Sequence, residues 1–533
     1  MKRKISVFVS VLMLGVMLAG CDGGGGSPSG QNNQGSVTAG DRSEQQTISI
    51  ALWDAEGVDD AIGKIIEEEL NIKLEMSALS WDNPEQVRLY GATDSLPDIV
   101  GTYPADELAM FYSWIDQGLI RDIPAEMIAK YPRVQKIVDD AEVLNSVKMV
   151  KDDKYWYLPR PESLENIYIA NWTAIYYRKD WMQNVGIETA PRTMDEFYEM
   201  LKAFKEKDPD GNGINDTIPL SIQSFPSGTP NDLFASWGVE TSGWYKNEAG
   251  DWVPGYYMDE MIEPLKYFRK LYSEGLLDPE FTTVSRNQMI QLFSTNMAGA
   301  IMRNADTNWT NRVIFRSYGV ANPEVAAPLD NIDLLLPLEV TPGTKAVWPQ
   351  HIPTCGSYIS SKVDDAKLDR ILDLFEYLMS PETLDLFHYG IEGETFQFNA
   401  AGEKELIFTS EGETKLTLAN YPSVILNSLA HWDFDYAADP NVPNDNMPGI
   451  REFTADFRER NNAFAVKQNL VPRMVSTPAK DDLQIDVGDK FMQIIIGDRD
   501  VEAMFADFQA ECRNLGVEAA IDEVTAEMNR LGQ

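Results

Sequence analysis

Apolar and polar residues alternate from Thr47 to Trp53 (TISIALW) and again from Ile72 to Met76 (IKLEM), which is the period of half-buried strands. Between them, Asp59 to Leu70 carries helical spacing, and Ser95-Leu96-Pro97-Asp98 supplies a turn into a third strand ending near Gly101. Strands that alternate with helical segments predict an α/β layer with a largely parallel sheet. Further on, Thr193 and Glu196 have capping-box spacing. Phe197, Leu201 and Phe204 then recur on one apolar face, and Lys205 and Lys207 close that helix at its negative end. A second amphipathic helix ends at Gly275, with Met261, Leu265, Phe268 and Tyr272 on one face and Pro264 in its first turn. A third runs from about Asp365 to Met379, and Ser380-Pro381 opens another with Ser as cap.

The start of the chain follows a different pattern. Lys2, Arg3 and Lys4 precede an apolar run from Ile5 to Ala19, shorter than the roughly 20 residues a membrane span needs. It has the form of a secretory signal peptide over residues 1–20. Its end, Leu18-Ala19-Gly20-Cys21, resembles the bacterial lipobox, in which the Cys thiol is diacylated and becomes the new N-terminus. Residues 21–46 are rich in Gly, Ser, Asn and Gln and read as a flexible tether with a reach of roughly 25–30 Å. The expected location is therefore the extracytoplasmic side of the cell membrane, held by acyl chains (palmitate among them) on Cys21 rather than by a spanning helix.

Net charge over 533 residues is −39, which argues against nucleic acid or an anionic membrane surface as partner. The part beyond Gln46 exceeds what one core usually holds, so two lobes are expected. Besides Cys21 there are only Cys355 and Cys512, either two buried thiols or one bridge.

Asp208 to Thr217 read DPDGNGINDT. Side-chain oxygens fall at the first, third, fifth and ninth positions (Asp208, Asp210, Asn212, Asp216), with Gly213 at the bend and the Ile214 carbonyl after it. Alternate hard oxygens on a tight turn are what a calcium loop requires. The twelfth position is Pro219, not a bidentate Glu, and no second helix follows, so this is no EF-hand switch. A metal-free Asp/Asn/Gly turn is the plain alternative.

Catalytic signatures are missing: there is no HExxH, GxSxG, P-loop or Gly-rich dinucleotide turn. His351, His388 and His431 are the only histidines. Aromatic residues are more informative, because sugars offer apolar C–H faces to flat rings and hydroxyls to forked polar groups. Trp53, Trp237, Trp309, Trp348 and Trp432 lie just past predicted strands or in loops, where clefts of α/β sheets open. Asp54 follows Trp53; Arg303 ends the apolar run Ala300-Ile301-Met302, with Asp306 beyond; His351 and Tyr358 flank the segment after Trp348. Tyr103, Arg178 and Glu392 complete the candidate set, while Trp114, Trp172 and Trp181 read as core.

Several segments carry a resemblance spread over nearly the whole chain: Ser95-Leu96-Pro97-Asp98-Ile99, Trp114 to Ile120, Lys154 to Pro159, Tyr176 to Trp181 through Thr193-Met194-Asp195-Glu196, and Tyr389 to Gly393. In this order the chain resembles the family 1 extracellular solute-binding lipoproteins of ABC importers, and within them the oligosaccharide binders similar to alginate-oligosaccharide-binding proteins. The resemblance implies a two-lobe, periplasmic-binding-protein-like (type II) α/β fold with ligand held between the lobes. It implies a monomeric binding protein, not an enzyme, whose partners are an oligosaccharide and ABC permease subunits. The lobe boundaries expected are 47–165 and 298–395 for the first lobe, and 166–297 and 396–533 for the second. Relatives carry structural calcium in the same loop, which assigns Asp208, Asp210, Asn212, Ile214 (backbone) and Asp216 as ligands, though Thr217 stands where a Glu is expected. Two rivals remain at this level: a calcium-stabilised glycan hydrolase or lyase, and a binder of peptides or other solutes.

Overall fold

The computed structural model describes residues 41–533 apart from 81–84, 105–106, 162–163, 165–172, 224–232, 345, 347–354, 410–413, 433–446 and 467–468. Cys21 and residues 22–40 of the tether therefore lie outside the described residues. The tether expected to reach residue 46 is corrected at its end: Arg42 is paired with Asp373 at 2.8 Å, and Gln46 already opens the first strand. The alternating segments form the first sheet. Strand β1 (Gln46–Trp53) pairs in parallel with β2 (Ile72–Leu79) along its full length, and with β3 (Ile99–Thr102) on its other side. The helix Ala61–Leu70 makes the crossover. Asp60 caps its start by accepting from the N–H groups of Ile62 and Gly63, and Asn71 ends it in the left-handed region at φ 48°. Strand β4 (Leu158–Pro159) lies at the far edge, and β11 (Gly356–Ile359) returns late in the sequence to run antiparallel between β3 and β4.

A second sheet has the order β10-β5-β9-β6, built from β5 (Ala174–Arg178), β6 (Ile218–Ser221), β9 (Ala298–Arg303) and β10 (Ile332–Leu335). Two small ribbons complete the strands: β7 (Trp244–Lys246) with β8 (Trp252–Pro254), and β12 (Phe396–Phe398) with β13 (Lys404–Leu406). Each large sheet has its own hydrophobic core. The first draws on Phe375 and Leu378 from the helix Asp365–Leu378, and on Leu426 and Leu429. The second draws on Phe197, Leu201 and Phe204 of the helix Met194–Glu206. Gly299 lets that helix approach β9, since a Cβ there would stand 2.4 Å from the Phe204 ring.

The boundary expected at residue 298 is corrected by this topology. β9 and β10 hydrogen-bond to β5, so the chain stays in the second sheet beyond Leu335 and rejoins the first only at β11. Nor is 396–533 one piece, because Leu426, Leu429, Leu470 and Met474 pack into the first core. Local chemistry differs from the expected capping box in one detail. Thr193 accepts from the Glu196 N–H at 3.1 Å, but the Glu196 carboxylate accepts from the Arg192 N–H, one residue upstream. Cys355 and Cys512 are both buried and form no disulfide with each other. Among the described residues no helix is long and apolar enough to cross a membrane.

Candidate functional site

In the first sheet β1, β3 and β4 run the same way, because β11 is antiparallel to both β3 and β4. Ligands of open α/β sheets bind outside the carboxyl ends of such strands. There Trp53 closes β1, Tyr103 follows β3, and Arg160 follows β4. Trp432 joins them from a distant part of the chain. Its backbone N–H donates to the Pro161 carbonyl at 2.9 Å, and its indole N–H to the Cys355 thiol at 3.2 Å. The Trp53 and Trp432 rings are nearly parallel, 22° apart with centroids at 6.3 Å, and Tyr103 lies 4.9 Å from Trp53. The Arg160 guanidinium lies 5.0 Å from the Trp53 centroid and 4.9 Å from that of Trp432. Arg160 is absent from the candidates read off the sequence. Its one signal there is its place at the end of an aromatic strand segment, Tyr155 to Pro159, matching that of Trp53 on β1.

In the second sheet the carboxyl end of β9 presents Arg303. Its Nη1 donates to the Gln223 amide oxygen at 2.8 Å and its Nη2 to that of Asn304 at 3.3 Å, while the guanidinium lies 5.2 Å from the Trp309 ring. Burial, reinforced by the nearby positive charge of Arg286, holds the Arg303 pKa down to about 10. Asp306 is 2% exposed; one of its oxygens accepts from the Trp309 N–H at 3.0 Å and the other has no partner among the described residues. Burial pushes its carboxyl up to about 6, against the backbone hydrogen bonds that favour the charged form. A folded-state pKa above the unfolded one means that the native state binds the extra proton between about pH 4 and 6, so this group costs stability as pH rises through that window. Asp306→Asn keeps the acceptor for Trp309 and removes the buried charge. It is expected to raise stability at pH 7 by roughly 2–3 kcal/mol and to leave stability at pH 4 nearly unchanged, as read by melting temperature against pH.

Other candidates are placed elsewhere. Arg178 is corrected: it sits at the opposite end of the second sheet from Arg303, paired with Asp180 and held over Trp181 and Tyr318 at 4.9 and 5.1 Å. It is a structural cation. Trp237 is half-buried against Phe234 and Tyr267, on the edge of the second core. Glu392 is exposed in the turn that leads into β12, bridging to Phe396. Asp54 is exposed beyond Trp53, with φ 55°. Tyr358 is core, 5.5 Å from Phe111 and 5.4 Å from Trp114. Trp114 and Trp181 are buried as expected, whereas Trp348, His351 and Trp172 lie outside the described residues.

The acidic loop links the helix Met194–Glu206 to β6. Asp208 takes φ 48°, and Gly211 and Gly213 take positive φ, so the backbone turns sharply enough to point alternate side chains inward. One Asp208 oxygen accepts from the Gly213 N–H at 2.9 Å; the other is buried without a partner among the described residues. The Asn212 amide nitrogen donates to Asp210 at 2.8 Å and to Asp216 at 3.2 Å. Burial raises the Asp210 pKa, and the adjacent Asp208 carboxyl and the Asp216 charge add to that rise. Among the described residues no three acidic, His or Cys side chains already converge into a metal cage. Here the Asn212 amide dipole stands among the carboxylates. A cation would satisfy them more fully, and the orphaned Asp208 oxygen gives it a further ligand, so the residues fit calcium. Thr217 is not part of that set, since its hydroxyl donates back to the Phe204 carbonyl at 2.9 Å.

Residues 53–329 match the family model described as bacterial extracellular solute-binding protein. The chain belongs to that family. The match spans both sheets, from the end of β1 to just before β10. The polygalacturonan/rhamnogalacturonan-binding protein YtcQ of Bacillus subtilis is 26% identical over 428 residues, covering 78% of this chain and 77% of that one. Lipoprotein LipO of Bacillus subtilis is 29% identical over 243 residues, 44% of this chain and 45% of its own. Among solved structures, the Streptococcus pneumoniae ABC-transporter substrate-binding protein FusA in complex with kestose aligns with TM-score 0.65 at 19% identity, covering 92% of this chain and 99% of that one. The fold is thus the periplasmic-binding-protein-like α/β fold, and this is an extracellular solute-binding protein of ABC transporters with carbohydrate-binding relatives.

Proposed function

We propose that this solute-binding protein captures an oligosaccharide at the carboxyl edges of its two sheets, closes its lobes over it and delivers it intact to a membrane permease. The observation that carries the reading is the group of Trp53, Tyr103 and Trp432 around Arg160, where flat rings and forked donors meet at the strand ends. A ligand that binds the closed form more tightly shifts the hinge equilibrium toward it, and the work comes from that difference in affinity, without covalent chemistry. The sugar ligand named for YtcQ and the kestose bound to FusA support the carbohydrate class. The lipobox at Cys21, together with a lipoprotein among the relatives, supports a lipid-anchored receptor on the outer face of the membrane.

A structural calcium ion belongs to the same reading, held by Asp208, Asp210, Asn212, the Ile214 carbonyl and Asp216. It ties the end of one helix to β6 in the second lobe and takes no part in sugar capture.

Asp306 is the one observation that favours an enzyme, because a carboxyl near pH 6 suits a general acid. Its accessible role is spent otherwise: one oxygen caps the turn at Trp309 and the side chain is sealed from solvent. The test is a melting-temperature screen against neutral and acidic oligosaccharides, followed by chromatography of the bound sugar. At least one oligosaccharide should raise the melting temperature and be recovered whole. Cleaved product, or stabilisation only by peptides, would refute the proposal.

A further inference from the structure

A cysteine stands in the row of residues that crosses the first sheet at its carboxyl edge. Strand β11 pairs Gly356 with Thr102 of β3 on one side and with Pro159 of β4 on the other. One residue further along, this register brings Tyr103, Cys355 and Arg160 into a row, and the Arg160 N–H donates to the Cys355 carbonyl at 3.1 Å. Residues opposite each other on neighbouring strands share a face, with Cβ atoms about 4.5–5.5 Å apart, so the Cys355 sulfur and the root of the Arg160 side chain are neighbours. The guanidinium extends along that face to Gly101, where a Cβ would stand 2.6 Å from its Nη2.

Arg160 is fully buried, and its Nε, Nη1 and Nη2 have no hydrogen-bond partner among the described residues. Burial lowers its pKa, and the Cys355 thiol and Tyr103 phenol oppose that fall; no carboxylate is among the groups acting on it. A guanidinium stays protonated in a protein, so balance has to come from an acid that ionises beside it. An ordinary thiol ionises at about pH 8.5 and a phenol at about 10, so the thiol yields first. Its sulfur is also placed as an acceptor: the Trp432 indole N–H, which can only donate, meets it at 3.2 Å. Asp54 beyond β1 and His431 before Trp432 also flank this row, the first exposed and the second buried. Cys512 has the opposite surroundings. It belongs to the second core with Phe505 and Phe508, and burial, reinforced by the charge of Glu511, pushes its thiol up to about 12.

We propose that Cys355 is held as a thiolate by Arg160 and is a modification site for small disulfides, whose attachment weakens ligand capture. The sulfur attacks one sulfur of the disulfide; a new S–S bond forms as the old one breaks, and the electron pair leaves with the second sulfur as a thiolate. No oxidant beyond the disulfide is consumed. Cys355 is 6% exposed, which restricts the reagent to a small one, and the extracellular setting of the family is where disulfides persist. The attached group replaces the anion. Arg160 then loses its counter-charge and the Trp432 indole its acceptor, at the edge where Trp53 and Tyr103 also stand. The effect on capture rests on the oligosaccharide reading above; the ionisation of the thiol does not.

Timed alkylation of the full chain with iodoacetamide, read peptide by peptide in a mass spectrometer, gives the pH at which each cysteine ionises. Cys355 should reach half its limiting rate below about pH 7, where an ordinary thiol does so at about 8.5. Cys512, in the same molecules, should stay unmodified until the chain is unfolded. Arg160→Met should move the Cys355 midpoint above about 8.5, and Arg160→Lys should keep it low, because the charge rather than the fork sets it. Melting curves check that both variants are folded. Hydroxyethyl disulfide should add one group at Cys355. The adduct should bind the oligosaccharide found by the melting screen at least about tenfold more weakly, the effect of leaving a buried charge unbalanced, and should recover on reduction. A Cys355 midpoint at or above about 8.5 in the natural protein, or one that a folded Arg160→Met leaves unmoved, overturns the proposal. So does a Cys355 that resists both reagents in the folded chain, or an adduct that binds sugar undiminished. If the unmodified protein binds no oligosaccharide, the sugar reading fails, and the alkylation midpoints still decide the thiolate.

Discussion

Glu376→Ala is expected to destabilise the protein by roughly 3–5 kcal/mol, the cost of breaking a buried charged hydrogen-bond set from one side. Glu376 is 4% exposed on the helix Asp365–Leu378, yet its partners belong to another helix, Pro132–Asp140. That helix opens at Tyr131, which offers no side-chain cap. Glu376 takes the role instead, accepting from the N–H groups of Arg133 at 2.8 Å and Val134 at 3.2 Å, with the Arg133 guanidinium at 2.9 Å on its other oxygen. A carboxylate at a helix N-terminus also meets the positive end of the dipole. Two of the three donors are backbone groups that cannot turn to solvent, so their loss dominates. The Arg133 side chain is 37% exposed and can rehydrate, so Arg133→Ala should cost under about 1 kcal/mol. Glu376→Gln should fall between, keeping acceptors and losing charge. Denaturant unfolding of the three variants checks the order; equal costs for Arg133→Ala and Glu376→Ala would mean that the ion pair, not the cap, holds these helices together.

Such a cap could not be read from the sequence, because 243 positions separate Glu376 from Arg133. What could be read was local. The strand at Thr47, the helix capped by Thr193, and the helix opening at Ser380-Pro381 all arise from patterns within about a dozen residues, and all stand where expected. Long-range pairing explains the misses. The order of strands placed β9 with β5, although nothing in Ala298–Arg303 distinguishes a strand of one lobe from a segment crossing to the other. At the site, Trp53 and Trp432 were legible as rings past strand ends, but their approach depends on the Trp432 contacts with Pro161 and Cys355. Arg178 and Arg303 looked alike as arginines ending strands. Antiparallel pairing puts them at opposite ends of one sheet, where Arg178 finds a carboxylate and Arg303 does not. Arg160 follows the same logic in reverse: a residue marked in sequence only by the aromatic segment before it becomes the centre of the aromatic group because β4 pairs with β11.

Calcium at about 100 times its dissociation constant is expected to stabilise the protein by roughly 2.7 kcal/mol, since it binds the native loop and not the unfolded chain. The contacts within the loop account for that gain. Asp210 and Asp216 share the Asn212 amide, Asp208 accepts from the Gly213 N–H, and the other Asp208 oxygen is buried without a partner among the described residues. The Asp210 carboxyl is accordingly raised, first by burial and then by its acidic neighbours. The sign of the pH dependence follows. In chelator, a folded pKa above the unfolded one makes this group cost stability as pH rises through that pKa. With calcium, the ion holds the carboxylates ionised, so acidification displaces the metal and removes its stabilisation. The difference in melting temperature between calcium and chelator should therefore be widest at neutral pH and close at low pH. Asp210→Ala should abolish that difference while leaving the sugar-induced shift intact, because the loop sits between a helix and β6 and the Trp53 group belongs to the other sheet; sites that share no partners add nearly independently. Melting curves of the natural protein and Asp210→Ala, in calcium and in chelator, each with and without a bound oligosaccharide, separate the possibilities. Identical melting in the two buffers for the natural protein would remove the metal from this loop. A folded Asp210→Ala protein that no longer responds to sugar would mean that the loop and the binding edge are coupled, against the division of roles that the two separate cores support.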